Sequence, residues 1–332
     1  MKRHSNIPVF IPNLGCKNRC VFCDQRTVSS TIKEPESEEV SFFLEKSFKE
    51  KKFPADTEIA FFGGSFTALE RNYMISLLEA ASRFIESKKA LGIRISTRPD
   101  AIDEDILKTL KEYGVSSIEL GAQSMDDGIL HGNMRGHTSA DVFRSSLMIK
   151  NHGFSLGLQM MLGMYMDENP GKTAYDTAEK FIQIKPDTVR IYPTVVLKGT
   201  KLEELYNINK YIPLSLESAV KICGKLLLMF FENGIQVIRA GLHSDTGLVE
   251  NIAAGPFHPA FGELARSGVY MDLISEKLKG KDKGSYILYV AKGCVGAAVG
   301  INKINSEYFS SNGYLLKVVE KDTLREYEAE TG

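Results

Sequence analysis

"EIAFFGGSFTALERNYMISLLEAASRFIE", residues 58–86, joins two kinds of local structure in one run. Residues 58–65 read as a buried strand that ends in glycines. Residues 70–89 then carry a helical pattern, with Leu77, Leu78, Ala81 and Phe84 near one face. A strand followed by a one-faced helix is the repeating unit of a parallel sheet.

The unit recurs on both sides of this run. Strands are expected at 7–12, 93–99, 116–124, 155–164 and 188–197. Helical patterns occupy 36–52, 139–152 and 170–184, and another starts behind Asp103 as a cap and stops at Gly114. Six strands in steady alternation imply right-handed crossovers and an α/β fold, a partial (β/α)6 TIM-like barrel. Functional groups of such barrels collect at the C-terminal ends of strands. Gly63, Gly64, Thr97, Arg98, Glu119, Gln123, Gln159 and Arg190 all fall at or near such ends.

After residue 205 the rhythm changes. A long amphipathic helix at 214–234 precedes a strand at 235–243 and a mostly helical stretch at 258–280. Two late strands then flank two short helices. The expected division is a barrel domain over 1–205 and a smaller α+β region over 206–332.

Composition narrows the class. The 332 residues hold 41 Lys and Arg against 42 Asp and Glu, a net charge of −1. That excludes a generally cationic nucleic-acid binder and leaves a local patch open. No apolar run approaches the roughly 20 residues of a membrane helix, and no targeting segment is seen, so a cytoplasmic protein without a membrane partner is expected. Thiols there stay reduced, and clustered cysteines more often bind metal than pair.

The cluster is "NLGCKNRCVFCDQ", residues 13–25, with Cys16, Cys20 and Cys23. A structural zinc site prefers four ligands, and no second cysteine pair follows; His4 or Asp24 would have to complete it. An iron–sulfur cube suits three thiolates better. Each iron takes one external ligand, so three cysteines leave one iron open to a reagent. Cys223, in an apolar helix, and Cys294 lie far away and read as core.

The cysteine spacing on the first strand-to-helix loop resembles the radical S-adenosylmethionine (SAM) superfamily. "FFGGSFTALE" (61–70) looks like that family's glycine motif. "ISTRPDAI" (95–102), "IELGAQSMDDGILHGNMRGHT" (118–138) and "RIYPTVVLKGTKLEELY" (190–206) are similar to the radical domain of the Elongator catalytic subunit family, which modifies wobble uridine in tRNA. The likeness spans roughly residues 5–240. It implies a 4Fe-4S cluster on Cys16, Cys20 and Cys23, with SAM on the open iron. It implies reductive cleavage to a 5′-deoxyadenosyl radical, supplied with electrons by a flavodoxin or ferredoxin. Gly63, Gly64 and Ser65 would hold the SAM amino group, and Thr97 and Arg98 would face the same cavity. Glu119 and Gln123 would contact the adenosyl ribose or carboxylate, with Gln159 and Arg190 as further cofactor contacts. Arg135 and His137 would touch substrate or brace a loop.

No coenzyme A-type glycine motif is seen after the radical region, so a short radical enzyme resembling Elongator is expected, and RNA, a tRNA base above all, is the first reading of its substrate. A radical enzyme on a small metabolite, similar to oxygen-independent coproporphyrinogen oxidase, is one alternative. A metal-stabilised RNA-binding protein without activity is another. Residues 285–320 are similar to a K-homology RNA-binding unit. Its Gly-x-x-Gly loop is degenerate at Gly300-Ile301-Asn302-Lys303.

Overall fold

The computed structural model describes residues 5–11, 14–16, 19–24, 34–243 and 246–332. Strands β1 (Asn6–Phe10), β2 (Glu58–Phe62), β3 (Gly92–Thr97), β4 (Val115–Gln123), β5 (Ser155–Leu162) and β6 (Thr188–Pro193) stand side by side in chain order. Each is parallel to the next. The sheet curls into an open half-barrel with helices packed on it, the architecture expected from the strand–helix alternation.

Local chemistry sets the element ends. Asp103 caps helix Glu104–Glu112 by accepting from the Ile106 N–H at 2.8 Å. Gly114 follows it at φ +78°, a conformation that costs glycine little. Helix Pro170–Ile184 starts with proline in its first turn behind an Asn169 cap.

Two features differ from the sequence expectation. The run 188–197 splits at Pro193, which has no N–H with which to extend a ladder. Beyond it, β7 (Val196–Leu197) leaves the sheet. The second difference is a seventh strand, β8 (Gln236–Ala240), which pairs parallel with β6. It lies past residue 205, so the half-barrel draws on both sides of the expected boundary. β9 (Ile252–Ala254) pairs with β7 as a small antiparallel flap.

At the C-terminal end, β10 (Gly284–Val290) and β11 (Tyr314–Glu320) pair in parallel, and β12 (Ala329–Thr331) runs antiparallel to β10. Between β10 and β11 lie helices Val295–Val299 and Ile304–Ser311. Helix Phe261–Leu278 packs on both the half-barrel helix Leu216–Glu232 and this small unit. One continuous apolar core therefore runs from Ile7 and Val9 in β1 to Leu288 and Val290 in β10. Among the described residues no helix is long and apolar enough to cross a membrane.

Candidate active site

A cavity of about 500 Å³ opens at the C-terminal ends of the strands. Cys16, Cys20 and Cys23 line one side. Gly63, Gly64, Thr97, Arg98, Gln123, Gln159 and Arg190 are among the rest of its lining, with Phe10, Phe62, Met161 and Leu197 on its apolar side. Ten sequence-expected site residues thus meet around one space.

The cysteine loop is sewn to the glycine strand end. Ser65 N–H donates to the Leu14 carbonyl at 2.8 Å. A Cβ on Gly64 would lie 2.5 Å from that carbonyl oxygen, and one on Gly15 would lie 2.2 Å from the Ser65 carbonyl oxygen. The two backbones touch, so only glycine fits at either place.

Ser65 and Glu119 differ from the expectation of direct cofactor contact: neither lines the cavity, and the hydrogen-bonding capacity of each is spent on protein. The Ser65 hydroxyl is fully buried, bonds the Thr97 hydroxyl at 3.1 Å and accepts from the Arg98 N–H at 3.2 Å. Glu119 is 1% exposed. Arg190 grips its carboxylate through Nε and Nη2 at 2.8 and 2.9 Å. Arg94 Nη1 and Gln159 Nε2 each donate to it at 3.0 Å. Gly157, its register partner on β5, makes room, since a Cβ there would sit 2.8 Å from the Glu119 Cγ. Burial pushes the Glu119 carboxyl up, but Arg190 and Arg94 outweigh it and hold the group below the usual carboxylate range. Arg94 also pairs with Glu58 at 2.7 Å, and Ser117 donates to Glu58 at 2.6 Å. A row of paired charges thus lies beneath the cavity.

The wall above that row is different. Ser96 Oγ, Arg98 Nη1, Gln123 Oε1 and Arg135 Nε are buried atoms without a hydrogen-bond partner. Buried polar groups normally find one, so four such atoms on residues lining one cavity mark a place shaped for a ligand. Asp100 holds Arg98 through Nε and Nη2 at 2.9 and 3.0 Å, which aims the remaining nitrogen. Gln123 ends β4 at φ +67°, after a register shift that follows Leu120. Ser96 has no flag in the sequence beyond its place near the end of an expected strand.

Arg135 Nη1 lies 3.1 Å from Cys20 Sγ, and its Nη2 donates to the Gly121 carbonyl at 2.5 Å. His137 is nearly buried, with Nε2 3.1 Å from the Ala122 carbonyl. Burial, followed by the charge of Arg135, pushes its pKa down to about 4. It is a neutral brace behind the wall. His258 Nδ1 accepts from the Ala260 N–H at 3.0 Å, a turn bond away from this cavity. Cys223 and Cys294 are buried elsewhere. His4 lies outside the described residues.

Among the described residues, no three His, Cys, Asp or Glu side chains form a group that would hold a single metal ion. A four-iron cube makes another demand, one thiolate per iron corner. The donors fit it: three thiols line one cavity, with the Arg135 guanidinium against one sulfur. Burial and the neighbouring Cys20 push the Cys16 thiol up, while Arg98 and Arg135 pull it down.

The radical SAM superfamily profile matches residues 10–178, more than half of the chain. The chain belongs to the radical SAM superfamily. The radical SAM C-terminal domain profile matches residues 186–271, which takes in β8. The chain is an enzyme of this superfamily, with its reaction class open. It is 29% identical over 187 residues to the tRNA uridine(34) acetyltransferase of Methanocaldococcus jannaschii, covering 50% of this chain and 34% of that one. It is 27% identical over 194 residues to Elongator complex protein 3 of Saccharomyces cerevisiae, covering 52% and 34%. The chain spans about a third of the length of these curated relatives. Its fold is similar to that of the archaeal Methanocaldococcus infernus Elp3, with a TM-score of 0.65 and 20% identity over 85% of this chain and 64% of that one.

Proposed function

We propose that this enzyme binds a 4Fe-4S cluster through Cys16, Cys20 and Cys23, cleaves SAM reductively in the cavity, and modifies a base of tRNA or another RNA. The observation that carries the reading is the meeting of three thiols and four orphaned polar atoms around one cavity. Bound there, the cluster and SAM supply one-electron cleavage of a sulfonium carbon–sulfur bond.

The chain's own residues bind and orient. Arg98, steadied by Asp100, has a nitrogen left to donate to a carboxylate. Gln123 Oε1 accepts from an amine or hydroxyl. Gln159 spends an amide N–H on Glu119, which leaves its carbonyl oxygen to accept from a ribose hydroxyl. Phe10, Phe62, Met161 and Leu197 exclude water, which protects reactive species from side reactions.

The RNA substrate is supported by the names of the curated relatives, a tRNA uridine(34) acetyltransferase and an Elongator subunit. A low-potential one-electron donor such as a flavodoxin or ferredoxin is required by the chemistry. The test is nucleoside mass spectrometry of tRNA from cells with and without this protein. A modified nucleoside lost on deletion and restored by the intact gene supports the reading. Unchanged nucleosides alongside intact SAM cleavage would refute the RNA part.

A further inference from the structure

Across the sheet, the row of charges beneath the cavity alternates in sign: Glu58 on β2, Arg94 on β3, Glu119 on β4, Arg190 on β6. On β8 the alternation breaks. Arg239 is the register partner of Arg190, so two guanidiniums occupy adjacent strands. Arg239 Nε donates to the Gly241 carbonyl at 3.0 Å, and no carboxylate pairs with it among the described residues. Glu263 and Glu326 share its cavity, but Arg266 takes both, at 3.3 and 2.9 Å. Burial and the like charge of Arg190 push Arg239 below the ordinary arginine value, against a partial offset from Tyr192. Arg190 already has its carboxylate in Glu119, so the uncompensated charge is that of Arg239, and a half-buried charge is costly until an anion joins it.

The space for such an anion exists. Arg239 lines a second cavity of about 640 Å³ along the free edge of β8. Leu242 borders both cavities, so the two are neighbours. The amino end of helix Phe261–Leu278 opens on this second space, and its cap position, Ala260, offers no side-chain acceptor. Gly262 lies tight against β8, where a Cβ would come within 2.9 Å of the Ala240 carbonyl oxygen. The Phe261 N–H is spent on the His258 carbonyl at 3.0 Å, so it is the N–H groups of Gly262 and Glu263 that favour an anion here.

We propose that Arg239, beside Arg190 and the amino end of helix Phe261–Leu278, forms an oxyanion site that takes a backbone phosphodiester of the RNA whose base enters the first cavity. The identity of the anion rests on the RNA reading above; the existence of the site does not.

The test compares the full chain with R239Q. Arg325 lines the same cavity but is bonded to Glu328 at 2.8 Å, so R325Q is the control. Binding of an anticodon stem-loop RNA is measured against salt, and binding of inorganic phosphate is measured by calorimetry. R239Q is expected to weaken RNA binding about tenfold and to lower the salt slope by about 0.7, the share of one phosphate contact to single-stranded RNA. It should weaken phosphate binding about tenfold as well. R325Q should leave both unchanged. R239Q should unfold near the parent's denaturant midpoint, since the loss of one hydrogen bond to the Gly241 carbonyl is offset by relief of an uncompensated half-buried charge. If phosphate binding depends on Arg239 but RNA never binds, the site stands and the RNA reading falls. If neither ligand senses R239Q, or R325Q weakens binding as much, the site is refuted.

Discussion

The floor and the wall of the half-barrel are built from the same residue types to opposite ends. On the floor, Glu58, Arg94, Glu119 and Arg190 satisfy one another within 3.0 Å. On the wall, Ser96, Arg98, Gln123 and Arg135 each hold a buried polar atom without a partner. A closed network rigidifies, and an open one awaits a guest. The contrast separates residues that hold the site in shape from residues that meet the ligand.

The contrast can be broken first at the cysteines. Replacing any one of Cys16, Cys20 and Cys23 with alanine should abolish cluster retention and SAM cleavage, as read by iron content and 5′-deoxyadenosine after anaerobic purification. Wild-type levels of either in any single variant would dissolve the proposed assignment. On the floor, E119A should cost about 3–5 kcal/mol in denaturant unfolding, because it leaves the buried Arg190 guanidinium without its carboxylate and takes from Arg94 one of its two, Glu58 remaining. An unchanged midpoint would mean that the row contributes no rigidity.

At the seam between the two regions, Gly64→Ala should cost about 1–3 kcal/mol through the collision with the Leu14 and Ile11 carbonyls. It should also lower iron loading, since the cysteine loop is what must move. His137 gives a pH signature. Its folded pKa of about 4 lies below the unfolded value, so the unfolded chain binds the extra proton between about pH 6.5 and 4. Its share of stability is present above pH 6.5 and is lost as pH falls through that window. H137N should flatten the corresponding part of the stability curve.

The smallest stability effect belongs to the wall. Ser96→Ala removes no bond that the protein makes, so its unfolding midpoint should shift by less than about 0.5 kcal/mol. SAM affinity, by equilibrium dialysis, should still fall several-fold. A loss of stability without a loss of affinity would move Ser96 from the wall to the floor.

Much of the site was legible in the sequence, because chemistry and spacing lie together there. The three cysteines, the Gly63–Gly64 pair and the strand ends could be placed from short runs. The floor could not. Glu58 and Arg94 are 36 residues apart and meet only through the register of β2 and β3. A charged residue inside the apolar run "IRIST" was the available signal. Glu119 could be read as needing a partner, but not as finding it in Arg190, 71 residues on. β8 was read as a strand, yet its place in the sheet depends on helix Leu216–Glu232 carrying the chain back to β6. Ser65 and Ser96 are both serines near strand ends. Only the fold shows one spent on Thr97 and Arg98 and the other left open.

The most direct test is iron, sulfide and SAM turnover in the full chain after anaerobic reconstitution. We expect about four irons and four sulfides per chain, with 5′-deoxyadenosine formed only when a strong reductant and SAM are both present. Material that stays iron-poor and colourless, or that carries a full cluster yet never cleaves SAM, would contradict the account.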